Sequence, residues 1–198
     1  MVRPNPDLTT QEHRPIMTWQ FDPTHSEVSV AAKHMMLTTV RGRLTITKLD
    51  LDFDPEAPQG SRVTAVLDAA SIATGVEQRD AHLRSPDFLD AERYPTITFA
   101  SRRIEPAGDS WKLHGDLTIR DVTRPVVLDA TVNGVVPDMR GGRRAAFSAR
   151  VRIPREEWGL TWNVAIESGG WLVGKELEVR IDLAVVEQAA ERAASAAA

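Results

Sequence analysis

WKLHGDLTIR, residues 111–120, decides how the chain is read. Trp111, Leu113, Leu117 and Ile119 fall on one parity, and Lys112, His114, Asp116, Thr118 and Arg120 on the other. Side chains of a β-strand point to opposite faces in turn, so this stretch is a strand with one dry and one wet face. The pattern recurs outward in both directions. Leu177, Val179, Ile181, Leu183 and Val185 alternate with Glu178, Arg180, Asp182 and Ala184, while Phe147, Ala149, Val151 and Ile153 alternate with Ser148, Arg150 and Arg152. Weaker versions stand at Val28/Val30, Leu49/Leu51/Phe53, Val63/Ala65/Leu67, Ile97/Phe99 and Val126/Leu128/Ala130/Val132. Turn chemistry separates them: Asp22-Pro23, Ala57-Pro58-Gln59-Gly60, Pro106 to Asp109, and Pro137 to Gly142.

Eight or nine antiparallel strands with one apolar face must close on themselves or pair into two sheets. Medium-sized valine, leucine, isoleucine and alanine dominate those faces, which suits an open cavity and a packed core equally. One segment breaks the β pattern. Thr74-Gly75-Val76-Glu77 fits a capping box, and Ser85-Pro86-Asp87 has the serine, proline and acid of a second helix start. Two short helices in tandem are therefore expected before Tyr94-Pro95.

The 198 residues allow one good domain, and 42% hydrophobic with 26% charged residues is ordinary globular composition. A net charge of −4 argues against a nucleic-acid footprint, which needs a basic face. There is no cysteine, which excludes disulfides and thiolate chemistry. No run of about 18 apolar residues occurs, so no stable membrane insertion is expected. The polar, proline-rich start has no apolar signal region, which points to the cytoplasm.

Candidate chemistry concentrates in RDAHLRSPDF, residues 79–88, with two arginines, two aspartates, a histidine and a serine. His82 with Asp80 resembles an oriented base, yet residues two apart on a helix do not face each other. The five histidines form no HxH, HExxH or HxxxH pattern, so no metal set is read, and no nucleotide or cofactor loop is present. The rival reading is an enzyme or metal protein using His34, His82 and Asp80. A second rival is a solid β-domain acting as a stress or interaction module. Trp158 and Trp162 are read as core packing or as a pocket mouth.

The order of several motifs resembles the YceI-like family. They are WQFDPTHSEVSVAAKHM (19–35), VRG (40–42), SIATGVEQRDAHLRSPDFLDAERYPTITFAS (71–101), GDLTIRDVTRPVVL (115–128), IPREEWGLTW (153–162) and VGKELEVRIDL (173–183). The resemblance implies an all-β fold: an extended eight-stranded antiparallel β-barrel, lipocalin-like, with a short helical insertion around 75–92. It also implies non-enzymatic binding or carriage of a long-chain polyisoprenoid or an isoprenoid-quinone-like lipid, with no catalytic residue and no cofactor. Leu44 and Leu89 stand where an aromatic is usual in that family, which alters the bore if they line it. The expected layout is a flexible segment 1–15, one domain over 16–187 and an alanine-rich frayed tail 188–198. A homodimer is compatible with it. The apolar parity nominates Val30, Leu67, Phe99, Leu113, Leu117, Ile119, Phe147, Val151, Val179 and Ile181 as the ligand-binding wall. The candidate rim groups for a head group are His25, His34 and Trp162.

Overall fold

The computed structural model describes residues 18–188 apart from positions 140 and 168. The expectations for segment 1–15 and for the tail beyond Gln188 lie outside the described residues. Nine strands follow in order: β1 Thr18–Phe21, β2 Glu27–His34, β3 Thr38–Asp52, β4 Arg62–Ala73, β5 Thr96–Ala107, β6 Ser110–Ile119, β7 Val122–Pro137, β8 Arg143–Pro154 and β9 Val173–Gln188. One helix, α1 Glu77–Arg84, interrupts them between β4 and β5.

Strands β2 to β9 pair with their chain neighbours, and β9 pairs back onto β2, closing a ring of eight antiparallel strands. Short β1 lies on the same edge of β9 beyond β2, opposite Val185 to Gln188. The chain from β1 to β2 is thus one strand position broken by a 3-10 turn at Pro23–His25, where Asp22 accepts from the Thr24 amide and Ser26 Oγ donates to the Asp22 carbonyl. Closure removes the exposed sheet edges that an open sheet would carry.

In WKLHGDLTIR the inward parity includes Gly115, the one inward position without a side chain. A Cβ there would lie 2.4 Å from Phe99 Cζ and 2.5 Å from the Ala100 carbonyl oxygen, so the Phe99 ring occupies the space that Gly115 leaves open. Strand parity is not constant along β3. A bulge between Ile46 and Lys48 leaves Thr47 without a partner on β4, so the inward set changes from Val40, Gly42, Leu44 and Ile46 to Leu49, Leu51 and Phe53.

The interior divides along the barrel axis. One end is plugged by Trp19, Phe53, Ala145 and Val185 with Phe147 packed against them. The Phe53 ring meets Phe147 edge-on at 4.8 Å, and Trp19 Nε1 donates to the Phe53 carbonyl at 2.8 Å. The opposite end carries α1, the β2–β3 hairpin tip and the segment between β8 and β9.

Two local expectations are corrected. Thr74 does not cap α1 through a capping box; the N-cap is Val76, with no side-chain cap. Thr74 instead donates both its amide (2.9 Å) and its hydroxyl to the Asp80 carboxylate. Ser85 does not start a second helix but ends the first, its amide and hydroxyl both bonding the His82 carbonyl, and 86–89 is a turn. The carboxylate one turn into α1 outcompetes the threonine cap because Asp80 is buried and needs donors.

Candidate functional site: an apolar barrel cavity with a basic mouth

Between the aromatic plug and α1 the barrel is hollow. The cavity holds about 820 Å³, within the range of small-molecule sites. On β2 it runs from Val28 to His34, a reach of roughly 20 Å at about 3.3 Å per residue. It is therefore elongated, with a wall of aliphatic side chains from all eight strands of the ring.

Nine of the ten apolar residues chosen from strand parity lie on this wall: Val30, Leu67, Phe99, Leu113, Leu117, Ile119, Val151, Val179 and Ile181. Phe147 does not. It has the inward parity but sits at the plugged end against Phe53, because period two gives the face of a strand and not the depth along it. The wall also takes Val40, Leu44, Ile46, Leu89 and Leu160, which parity did not nominate. Val40 to Ile46 do alternate in the sequence, but the bulge at Thr47 separates them from the stronger Leu49–Phe53 signal. Leu44 and Leu89 both face the cavity.

Polar lining is confined to the end with α1. His34 and Lys33 from β2, Thr74, Gln78, Arg79 and His82 around α1, and Arg155 after β8 contribute it, and among the described residues no aspartate or glutamate lines the cavity. Val76 and Gln78 line it while remaining exposed, which marks the opening to solvent. His82 Nε2 lies 2.9 Å from Asp87 Oδ2, and its ring meets Phe88 at 5.0 Å and Trp162 at 4.6 Å, both edge-on. The two tryptophans divide: Trp162 stands at the mouth, whereas Trp158 is buried and donates to the Leu117 carbonyl at 3.1 Å.

Of the three rim candidates, His34 and Trp162 belong to this mouth and His25 does not. His25 precedes β2 and His34 ends it, so they stand about 30 Å apart at ~3.3 Å per residue. His25 Nδ1 meets Asp22 at 2.9 Å near the plugged end, where Asp22 also takes Arg144. The bonds from Thr24, Arg144 and His25 hold the Asp22 carboxyl far below the usual carboxylate range.

Arg155 is almost wholly buried and is met by carbonyls rather than by a carboxylate. Its guanidinium donates to the carbonyls of Gly174 (3.0 Å), Trp162 (3.0 Å) and Leu160. Burial pushes its pKa down, with Glu156 opposing. The side chain ties the segment after β8 to the start of β9 and fixes Trp162 at the mouth.

Asp80 does not line the cavity, and its bonds to Thr74 join the first turn of α1 to the first residue after β4. Arg79 braces the same residue, Nε to Thr74 Oγ1 at 2.7 Å. Burial raises the Asp80 pKa, but the Thr74 bonds with Arg79 and Arg84 outweigh it, and the net direction is down. Asp80, His82 and His34 are thus not one array: the first is committed to Thr74, the second to Asp87. Among the described residues no group of three or more histidines and carboxylates is placed to hold a metal ion. Nor, among them, is any helix long and apolar enough to cross a membrane.

An eight-stranded antiparallel barrel, plugged at one end and hollow above, is of the class that encloses a small ligand. The family model for the YceI-like domain matches residues 19–185, and the chain belongs to that family. A UPF0312 protein of Staphylococcus epidermidis is 34% identical over 161 residues, covering 81% of this chain and 92% of that one. The solved YceI protein of Campylobacter jejuni matches with a TM-score of 0.66 at 27% identity, over 79% of this chain and 89% of that one. A polyisoprenoid-binding domain from Saccharophagus degradans, implicated in plant cell wall breakdown, shares the fold with a TM-score of 0.61 at 13% identity, over 88% of this chain and the whole of that one.

Proposed function

We propose that this protein binds and carries, without chemistry, a single long-chain polyisoprenoid or a related amphiphile such as an isoprenoid quinone. The observation that carries the reading is the distribution of polarity in the cavity: a long aliphatic bore with every polar group at its mouth. An amphiphile matches that distribution, chain inward and head outward. The wall residues Val30, Leu67, Phe99, Leu113, Leu117, Ile119, Val151, Val179 and Ile181 contact the chain. His34, Trp162 and His82 meet the head group, and Lys33 and Arg79 at the mouth favour a head that accepts hydrogen bonds.

Affinity comes from apolar area removed from water. Burying about 400 Å² of chain stabilises the complex by roughly 10 kcal/mol at about 25 cal/mol per Å², before the cost of association. Such a wall discriminates weakly, since one methylene changes binding by about 1–3 kcal/mol. Chain length is then read by the depth down to the Phe53–Phe147 plug.

The test is organic extraction of the purified protein followed by mass spectrometry, with titration of added phylloquinone, a naphthoquinone with a phytyl chain. A co-purifying amphiphile, or saturable one-to-one phylloquinone binding, is expected. A protein free of lipid that also ignores phylloquinone would overturn the reading.

A further inference from the structure

Among the described residues nine large apolar side chains are exposed, and six of them gather around the cavity mouth. Met35, Met36 and Leu37 form the β2–β3 hairpin tip, with 39%, 59% and 79% of their surface exposed. Trp171 and Val164 stand on the adjoining segment, exposed by 43% and 48%, and Val76 lies at the start of α1. The two loops are held side by side by a hydrogen bond from the Met35 amide to the Leu172 carbonyl at 2.8 Å. Met35 and Met36 both have left-handed backbones, φ 51° and 61°, a region that glycine or asparagine fills at less cost. A turn of this shape built from methionine keeps large apolar groups in water where small polar ones would serve the fold better.

We infer that this end of the barrel docks on the surface of a phospholipid bilayer, with Met36, Leu37 and Trp171 entering the interface and Lys33 facing lipid phosphates. Lys33 is exposed and has no ion-pair partner among the described residues, and the Lys175 ammonium, paired with Glu156 at 3.4 Å, lies 5.8 Å from the Trp171 ring centre. Tryptophan at headgroup level with lysines beside it is the chemistry of a membrane–water interface. Val76 and Leu172 both line the cavity, so the apolar tip is continuous with the bore. A second protein seated on this patch would cover the opening. A bilayer instead brings the opening to the chains, which pass from lipid to barrel without exposure to water. The inference rests on the carrier reading above.

The experiment compares wild type with the double variant Met36→Asp/Leu37→Asp, and with Met139→Asp, an exposed methionine in the loop between β7 and β8 at the plugged end. Three readouts are taken: sedimentation with phosphatidylcholine–phosphatidylglycerol vesicles, binding of phylloquinone injected from solvent, and transfer of phylloquinone out of vesicles followed by tryptophan quenching. Wild type and Met139→Asp are expected to sediment. The double variant should sediment with roughly tenfold lower affinity and take phylloquinone from vesicles about tenfold more slowly, with injected phylloquinone binding unchanged. If it misfolds by circular dichroism, Met36→Ser/Trp171→Ser replaces it with the same expectation. Wild type left in the supernatant, or a folded variant that sediments like wild type, would overturn the inference. So would a wild-type dimer that becomes a monomer in the variant while neither binds vesicles. Sedimentation without any phylloquinone binding would support the docking surface and sink the carrier reading.

Discussion

Asp80 illustrates how a residue from a catalytic inventory can serve the fold instead. Its carboxylate is buried and accepts from the amide and hydroxyl of Thr74. Because its folded pKa is lowered, the contribution is fully present above the ordinary carboxylate range near 4 and is lost as pH falls through the folded value. Asp80→Asn should therefore lower thermal stability by an amount that is constant above about pH 5 and shrinks in acid. A loss of about 2 kcal/mol, roughly 4–8 °C for a chain of this size, is expected at neutral pH. Phylloquinone affinity should be unchanged, since Asp80 does not line the cavity. Melting curves across pH check the first point and titration the second; an affinity loss with intact stability would return Asp80 to the site.

At the scale of the element, the bulge in β3 sets which side chains face inward. Thr47 is the extra residue: Ile46 pairs with Leu67 and Lys48 with Val66. Removing it leaves every later pairing and parity in place, so a chain lacking Thr47 should fold and melt cooperatively. Removing Asp50 instead turns Leu51 and Phe53 to the outside, because a one-residue slip moves every following side chain to the other face. That variant should lose the Trp19–Phe53–Phe147 plug and its cooperative melt. Circular dichroism and thermal melts on the two deletions decide the matter; equal behaviour would mean that parity does not hold the plugged end together. The helix insertion is governed by a different rule. Its start is fixed by a buried acid one turn inside α1, not by the capping box that Thr74 and Glu77 spell out.

For the whole molecule, the hollow interior separates ligand binding from folding. Filling the bore with Val30→Trp should leave the ligand-free protein at least as stable and abolish phylloquinone binding. Wild type should gain about 2.7 kcal/mol at ligand one hundredfold above Kd, roughly 5–11 °C in Tm, and the variant none. Equal Tm gains in both would place the ligand outside the barrel. Antiparallel order and most of the wall were legible beforehand, since alternation in WKLHGDLTIR and its counterparts is a local property of the chain. The resemblance carried the ring closure and the strand count that alternation left open. What remained illegible is three-dimensional. Phe147 and Ile153 share one parity on β8, yet one belongs to the plug and the other to the cavity wall. His25 precedes β2 and His34 ends it, and they stand at opposite ends of the barrel. Periodicity is set by the backbone one residue at a time and is written in the sequence. Depth, and the choice of which end is plugged, depend on side chains from distant strands meeting across the closed ring, and only the tertiary structure decides them.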